Sequence, residues 1–188
     1  MIERFLAKAL VFWLPLPKAR KKVLVIKLRS KLFAMGLKKV KLGRDIRFER
    51  KSVFTPGSEV GDGCKITEIH VHGKGKIKIG RYCQLSWGIR AHTSNHDYRG
   101  DFLPFGEGNV IKDVEVGDFV WIGADVLLLP GTKIGEGSII QGGSVVHGEI
   151  PPCSIAGGNP AKVFAQRDRE RYERLKAEGR YLPHTDGW

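Results

Sequence analysis

Aliphatic residues recur at every sixth position through the second half of the chain, at Val116, Ile122, Leu128, Ile134, Ile140 and Val146. Small or β-branched residues stand two positions before each of them, at Val114, Val120, Val126, Thr132, Ser138 and Ser144. A six-residue period fits neither the 3.6-residue turn of a helix nor the alternation of one long strand. The pattern predicts an all-β solenoid, in which short strands form the faces of a coil and the aliphatic side chains point inward.

The repeat is weaker upstream and is interrupted once. Leu42-Gly43 and Val60-Gly61 are eighteen residues apart, which corresponds to one turn of a three-sided coil. Between 92 and 113 the repeat gives way to polar sequence that contains Gly and Pro. Because binding and catalytic residues collect where a loop leaves a regular solenoid, a functional loop is predicted there.

These signals divide the chain into three parts. Residues 1–41 are predicted to form a leader, and residues 42–160 the solenoid, with a loop inserted near 92–113. The remaining segment, 161–188, is interpreted as a C-terminal helix and tail. The charges of that helix, which runs from 161 to about 179, are assigned to a solvated face.

The positive charge is concentrated near the amino terminus. The 188 residues carry a formal charge of +12, but residues 1–51 hold 16 basic and only three acidic side chains. Apolar residues at helix-like spacing precede a cluster of Lys and Arg, a composition typical of a helix that lies on an anionic membrane surface. A cap over the open end of the solenoid is the alternative, and the two roles are compatible. No aromatic-interleaved basic motif points to a nucleic acid.

Composition also bears on location. The three cysteines form no CxxC pair, which favours a reduced, cytosolic protein over a disulfide or zinc framework. No run approaches the ~20 apolar residues of a membrane-spanning helix, and no signal-peptide pattern is present. A cytoplasmic protein is expected, with contact to the inner face of the membrane through residues 1–51.

Residues 114–124, VEVGDFVWIGA, resemble the bacterial hexapeptide-repeat acyltransferases, and the likeness continues through 157–163, GGNPAKV. Upstream, residues 94–98, SNHDY, are similar to the catalytic-loop segment of sugar and polysaccharide O-acetyltransferases in that family. The resemblance implies a left-handed parallel β-helix that assembles as a homotrimer with active sites between subunits. It also implies an acetyl-CoA-dependent O-acetyltransferase that requires no metal. Its acceptor would be a saccharide of capsule, exopolysaccharide or lipopolysaccharide biosynthesis.

One residue is predicted to be the catalytic base, and four others are predicted to bind the acceptor. Acetyl transfer to a hydroxyl needs a base, and histidine suits this role near pH 7. His96 lies in the loop and matches the catalytic histidine of the family, whereas a surface histidine is the alternative. By resemblance, the acceptor-side residues are Asp97, Gln84, Ser86 and Trp121. Asp97 could instead orient the imidazole, and Trp121 could instead belong to the core.

The resemblance also assigns residues to acetyl-CoA. Ala124 and Gly142 match small residues that border the pantetheine arm, since a long thin arm lying along the coil tolerates little side chain. Lys162 matches a basic position near the nucleotide end, where it could pair with a phosphate. A solvated lysine beyond the last coil is the alternative for Lys162.

Two other readings of the chain stay open. One is a non-catalytic solenoid that is recruited to a membrane assembly by its leader. The other is a γ-type carbonic anhydrase, because four histidines could contribute zinc ligands: His70, His72, His92 and His96. The SNHDY and NPAK segments favour the transferase. An amino group of the acceptor is an alternative to a hydroxyl, because the same base chemistry makes amides.

Overall fold

The computed structural model describes residues 39–182 continuously. Before this range it describes only Val11, Leu14, Pro17, Arg20, Lys21, Leu24, Val25, Leu28 and Leu37. The predicted leader at 1–41 therefore lies almost wholly outside the described residues, and so does the end of the predicted tail. Within the described residues, no helix is long and apolar enough to cross a membrane.

Within residues 39–182, short strands make up nearly all of the regular structure, and one helix follows them. In chain order the strands are β1 (Lys41–Leu42), β2 (Arg47–Phe48), β3 (Glu59–Val60), β4 (Lys65–Ile66), β5 (Ile69–His72), β6 (Ile77–Ile79), β7 (Gln84–Leu85), β8 (Ile89–His92), β9 (Ser94–His96), β10 (Asn109–Ile111), β11 (Val114–Val116), β12 (Trp121–Ile122), β13 (Leu127–Leu128), β14 (Lys133–Ile134), β15 (Ile139–Ile140), β16 (Val145–Val146), β17 (Glu149–Ile150), β18 (Ser154–Gly158) and β19 (Ala161–Gln166). The helix is α1 (Arg169–Ala177).

The strands stack into three faces of one coil. Sheet A contains β1, β3, β6, β11, β14 and β17. Sheet B contains β2, β4, β7, β12, β15, β18 and β19, and sheet C contains β5, β8, β13 and β16. Apart from the antiparallel pairing of β18 with β19, neighbouring strands in these sheets are parallel, and each turn of the coil adds one strand to a sheet. The predicted left-handed parallel β-helix is confirmed, with about six turns.

The interior of the coil is built from the repeated positions. All six aliphatic residues of the repeat are at most 4 % exposed, and the six residues two positions earlier are buried as well. Three members of the second column carry hydroxyl groups, and these donate to turn carbonyls. Thr132 donates to Leu129 at 2.7 Å, Ser138 to Pro151 at 2.8 Å, and Ser144 to Gln141 at 2.6 Å. Buried polar groups are thereby satisfied inside an apolar core.

The corner between sheets A and B, here the A–B corner, places one residue of each turn in the left-handed backbone region. These residues have φ between 54° and 70°: Asp45, Gly63, Tyr82, Phe119, Gly137 and Cys153. The rings of Tyr82 and Phe119 stack there at 5.4 Å between centroids. Glycine is required at position 63, because a Cβ atom would lie 2.4 Å from the ring of Tyr82.

The carboxyl-terminal segment differs from its prediction at its start. Residues Ala161–Gln166 form strand β19, which pairs antiparallel with β18, and the helix begins only at Arg169. The physical reason is that β18 is the last parallel strand of sheet B, and pairing with β19 satisfies its open edge. Helix α1 then packs back on the coil, where the buried Tyr172 donates a hydrogen bond to Glu136 at 2.7 Å.

Candidate active site

His96 lies on a hairpin that projects from the solenoid. Strand β9 follows β8 of sheet C and pairs antiparallel with β10, which returns the chain to β11 of sheet A. The hairpin therefore leaves the coil at the corner between sheets C and A, here the C–A corner. His96 is exposed and stands opposite Asn109 in the hairpin register.

One face of the His96 imidazole is covered by an aromatic ring. Phe105 lies in the loop between the two hairpin strands, and its ring stacks on His96 at 3.8 Å between centroids and 12° between planes. A hydrogen bond joins the two ends of this loop, because the carbonyl of Asp97 accepts from the amide of Gly106 at 2.8 Å. The ring nitrogens bond in the ring plane, so a stack on the face orients the imidazole without blocking them.

The carboxylate of Asp97 ties its own loop together. Its Oδ1 atom accepts hydrogen bonds from the amide of Arg99 at 3.1 Å and from Nε of Arg99 at 3.2 Å. The amide hydrogen bond, followed by the guanidinium, holds the pKa of Asp97 below its usual range. In the described loop this carboxylate thus bonds to Arg99 and not to His96. The assignment of Asp97 to the acceptor stays a prediction.

The predicted cofactor residues line up along the corner between sheets B and C, here the B–C corner. Ala124 and Gly142 occupy successive turns, and the carbonyl of Ala124 accepts a hydrogen bond from the amide of Gly143 at 2.8 Å. A Cβ atom at Gly142 would lie 3.1 Å from that carbonyl. The exposed Lys162 pairs with Gly157 one turn further along. The corner is therefore a smooth strip of backbone that ends near a cation, which fits a thin chain carrying a phosphate.

The residues predicted to contact the acceptor begin on the outer face of sheet B. Gln84 and Trp121 are register partners on neighbouring strands, and both point away from the core. Trp121 is 55 % exposed, so the alternative that places it in the core is wrong. Ser86 follows on the B–C corner, where its amide donates to the carbonyl of Ile122 at 3.0 Å. Gln84, Ser86 and Trp121 thus adjoin the strip at the B–C corner.

In one protomer, His96 is separated from this strip. The B–C corner and the C–A corner are opposite edges of sheet C, whose strand β8 comprises Ile89–His92. Four extended residues span on the order of 10 Å. The residues that the sequence assigns to one site therefore form two groups, with sheet C between them.

Two features of this region have no sequence signal of their own. Phe105 contacts His96 only because the hairpin loop folds back, and nothing in the local sequence marks that contact. His92 lies beside His72 on sheet C, at 5.6 Å between ring centroids. Burial, followed by the charges of His72 and Arg90, lowers the pKa of His92. Over the described range, no group of three or more His, Cys, Asp or Glu side chains could hold a metal ion.

Comparison with known proteins agrees with the repeat and the fold. Residues 113–148 match the family described as "Bacterial transferase hexapeptide (six repeats)". Over 104 residues the chain is 42 % identical to YvoF of Bacillus subtilis, which carries the name of an acetyltransferase, and the match covers 54 % of each chain. The chain thus spans about half the length of that curated relative.

Two solved structures share the fold. The hexapeptide-repeat-containing acetyltransferase VCA0836 from Vibrio cholerae has a TM-score of 0.61 at 24 % identity, over 88 % of this chain and 89 % of that one. A galactoside acetyltransferase in complex with coenzyme A has a TM-score of 0.64 at 22 % identity, over 90 % and 84 %. At these identities the likeness shows the fold.

The fold and the repeat define the class of the protein as a parallel β-helix built from hexapeptide turns. The resemblance to the hexapeptide-repeat transferases is confirmed, and the chain carries the bacterial transferase hexapeptide in its turns from 113 to 148.

Proposed function

We propose that the protein is an acetyl-CoA-dependent acetyltransferase that acylates a hydroxyl group of a saccharide. The observation that carries the proposal is the exposed imidazole of His96, held against Phe105 on a hairpin that projects from the coil. A regular solenoid has no structural need for such a hairpin. The matches to YvoF, to VCA0836 and to a galactoside acetyltransferase with coenzyme A support the same reaction class.

The residues of the B–C corner fit the cofactor. Gly142 and Ala124 leave the backbone open, and larger side chains would cover the strip between neighbouring turns. Lys162 stands at its end and would pair with a phosphate of coenzyme A. When bound there, acetyl-CoA would supply the acetyl group as an activated thioester.

His96 would act as the general base. Its neutral imidazole removes the proton of the acceptor hydroxyl as the oxygen attacks the thioester carbonyl, and this proton is available to the departing thiolate when the C–S bond breaks. The developing negative charge on the carbonyl oxygen requires hydrogen-bond donors, and backbone amides of the turns are the natural source. The acceptor would rest on Trp121 and Gln84. The same steps apply if the acceptor offers an amino group.

The separation of the two groups supports an oligomer. A second copy that presents its His96 hairpin to the B–C corner would bring the base to the cofactor strip. The hairpin loop exposes large apolar side chains, with Tyr98 79 %, Phe102 62 % and Leu103 98 % exposed, as surfaces for protein contact do. We expect a homotrimer with active sites between subunits. Light scattering coupled to size-exclusion chromatography would measure the mass of the assembly. A monomer would contradict an active site between subunits.

The basic leader suggests where the reaction takes place. Residues 1–51 are far more basic than the rest of the chain, where 16 basic side chains face 17 acidic ones. We propose that this segment brings a cytoplasmic enzyme to the inner face of the membrane, to act on lipid-linked or growing surface polysaccharide. Co-sedimentation should show pelleting with vesicles that contain anionic lipid and much less with neutral ones. Equal pelleting with both, or none, would contradict an electrostatic attachment.

A further inference from the structure

A second concave surface lies on sheet B, beside the strip just described. It runs between the outer face of the sheet and helix α1 with the residues that follow it, and it encloses about 890 Å³. We call it the sheet-B groove. Six of its lining residues are basic: Arg47, Lys65, Arg167, Arg171, Lys176 and Arg180.

The six cations of the sheet-B groove outnumber the carboxylates that line it or form ion pairs with them. Glu49 pairs with Arg47 and Lys65 at 3.4 and 3.3 Å, Glu136 pairs with Lys176, and Glu178 pairs with Arg180 at 3.7 Å. Asp168 is an acidic residue of the lining itself. Four such carboxylates thus stand against six cations in a partly enclosed space.

Two of the six cations, both arginines, form no ion pair with a carboxylate of the described chain. Arg167 donates to the carbonyl of Gly137 at 3.0 Å and lies over the ring of Tyr172 at 5.4 Å, so it is held in place without a carboxylate. Arg171 is exposed on α1, and no carboxylate of the described chain forms an ion pair with it. A planar guanidinium of this kind is well suited to bind a carboxylate or a phosphate.

The other side of the sheet-B groove offers groups that suit a sugar. Trp121 and Gln84 line it together, so an exposed aromatic face stands beside a side-chain amide. The C–H face of a pyranose ring is apolar and packs on such an aromatic face, while its hydroxyls bond to the amide. At the A–B corner, Tyr82, Phe119 and Tyr181 form a cluster with ring centroids 4.4 to 5.4 Å apart.

We infer that the sheet-B groove binds the acceptor and that this acceptor is an anionic saccharide, a sugar that carries a carboxylate or a phosphate. Its sugar ring lies against Trp121 and Gln84, and its anionic group lies toward Arg167 and Arg171. The inference rests on the proposed function, which places the acceptor at Trp121 and Gln84.

Two other occupants fit less well. The leader at 1–41 holds 12 basic side chains and one acidic side chain, so its charge has the same sign as that of the sheet-B groove. A nucleic acid would require an extended basic track along the surface. Residues 52–188 instead carry a net charge of −1.

Calorimetric titration of the full chain without acetyl-CoA tests the inference. Three ligands distinguish the possible anionic groups of the acceptor. Tetragalacturonate carries carboxylates, its methyl ester is the neutral control, and UDP-glucose carries phosphates. We expect the matching acidic ligand to bind about tenfold more tightly than the neutral ester, because a charge-assisted contact is involved. R171E should weaken that binding about tenfold or more. R174E makes the same charge change on α1 outside the groove lining and should alter binding by less than about twofold.

The inference would be overturned if the neutral ester bound as tightly as both acidic ligands, or if none of the three bound. Equal losses in R171E and R174E would likewise show a diffuse charge effect and not a site. Tighter binding of a single-stranded oligonucleotide would identify the groove as a nucleic-acid surface. Because the titration needs no catalysis, the expected pattern without any acetyl transfer contradicts only the proposed function. Transfer to neutral sugars without binding in the sheet-B groove contradicts only this inference.

Discussion

The variant His96→Ala is expected to lose acetyl transfer by a factor of about 10² to 10⁴, the usual contribution of a positioned general base. His96 is exposed on a hairpin and stacks on Phe105, so its removal leaves the core of the coil intact. We therefore expect the loss in the rate of the chemical step, with an unchanged unfolding transition. Binding of coenzyme A should also be retained, because the residues predicted to hold it, Ala124, Gly142 and Lys162, are unchanged.

The measurement is the release of coenzyme A from acetyl-CoA, across nucleotide sugars, lipid-linked sugars and polysaccharides. His147→Ala is the matched control, since His147 is also an exposed histidine but lies outside the hairpin. We expect this control to retain the activity of the unaltered protein. If no acceptor gives release that depends on His96, the enzymatic proposal fails and a non-catalytic scaffold explains the solenoid better.

The second large effect concerns stability. Leu128 is fully buried on β13 in the middle of the coil, and replacing it by alanine would leave a cavity that the neighbouring turns fill only in part. Leu→Ala changes at such sites cost about 2–5 kcal/mol of the free energy of unfolding. Because each turn packs only on its neighbours, the loss would weaken the turns on both sides.

The neighbouring residue supplies the control. Leu127 lies on the same strand but points outward, so Leu127→Ala should cost less than about 1 kcal/mol. Urea unfolding at one fixed protein concentration compares the two variants, since the apparent stability of an oligomer depends on concentration. Similar losses in both variants would contradict the assignment of inward and outward positions.

The repeat made the coil predictable because its information is local. Each hexad specifies one strand and one turn, and the same residue pattern repeats six positions later. The inward column from Val116 to Val146 could therefore be assigned position by position, and every member is buried. The period did not determine the hand of the coil, since the general preference for right-handed crossovers would predict the opposite. The hand came from the resemblance.

The carboxyl-terminal strand was not predictable in the same way. Residues 161–166 have no period of their own, and their conformation depends on the open edge of β18, which local sequence does not encode. The site residues show the same limit. The SNHDY motif marked His96, but the stack with Phe105 and the turn of Asp97 toward Arg99 arise from how the hairpin loop closes.

By itself, the sequence determined the coil, its inward positions, the excursion that carries His96 and the small residues at Ala124 and Gly142. These follow from periodicity and from motifs that lie within a few residues of one another. Only the tertiary structure decided that Gln84 and Trp121 share an exposed face, that His96 lies across sheet C from the B–C corner, and that α1 closes a basic groove over sheet B. Each of these depends on contacts between turns or between the coil and the end of the chain, which no local pattern records.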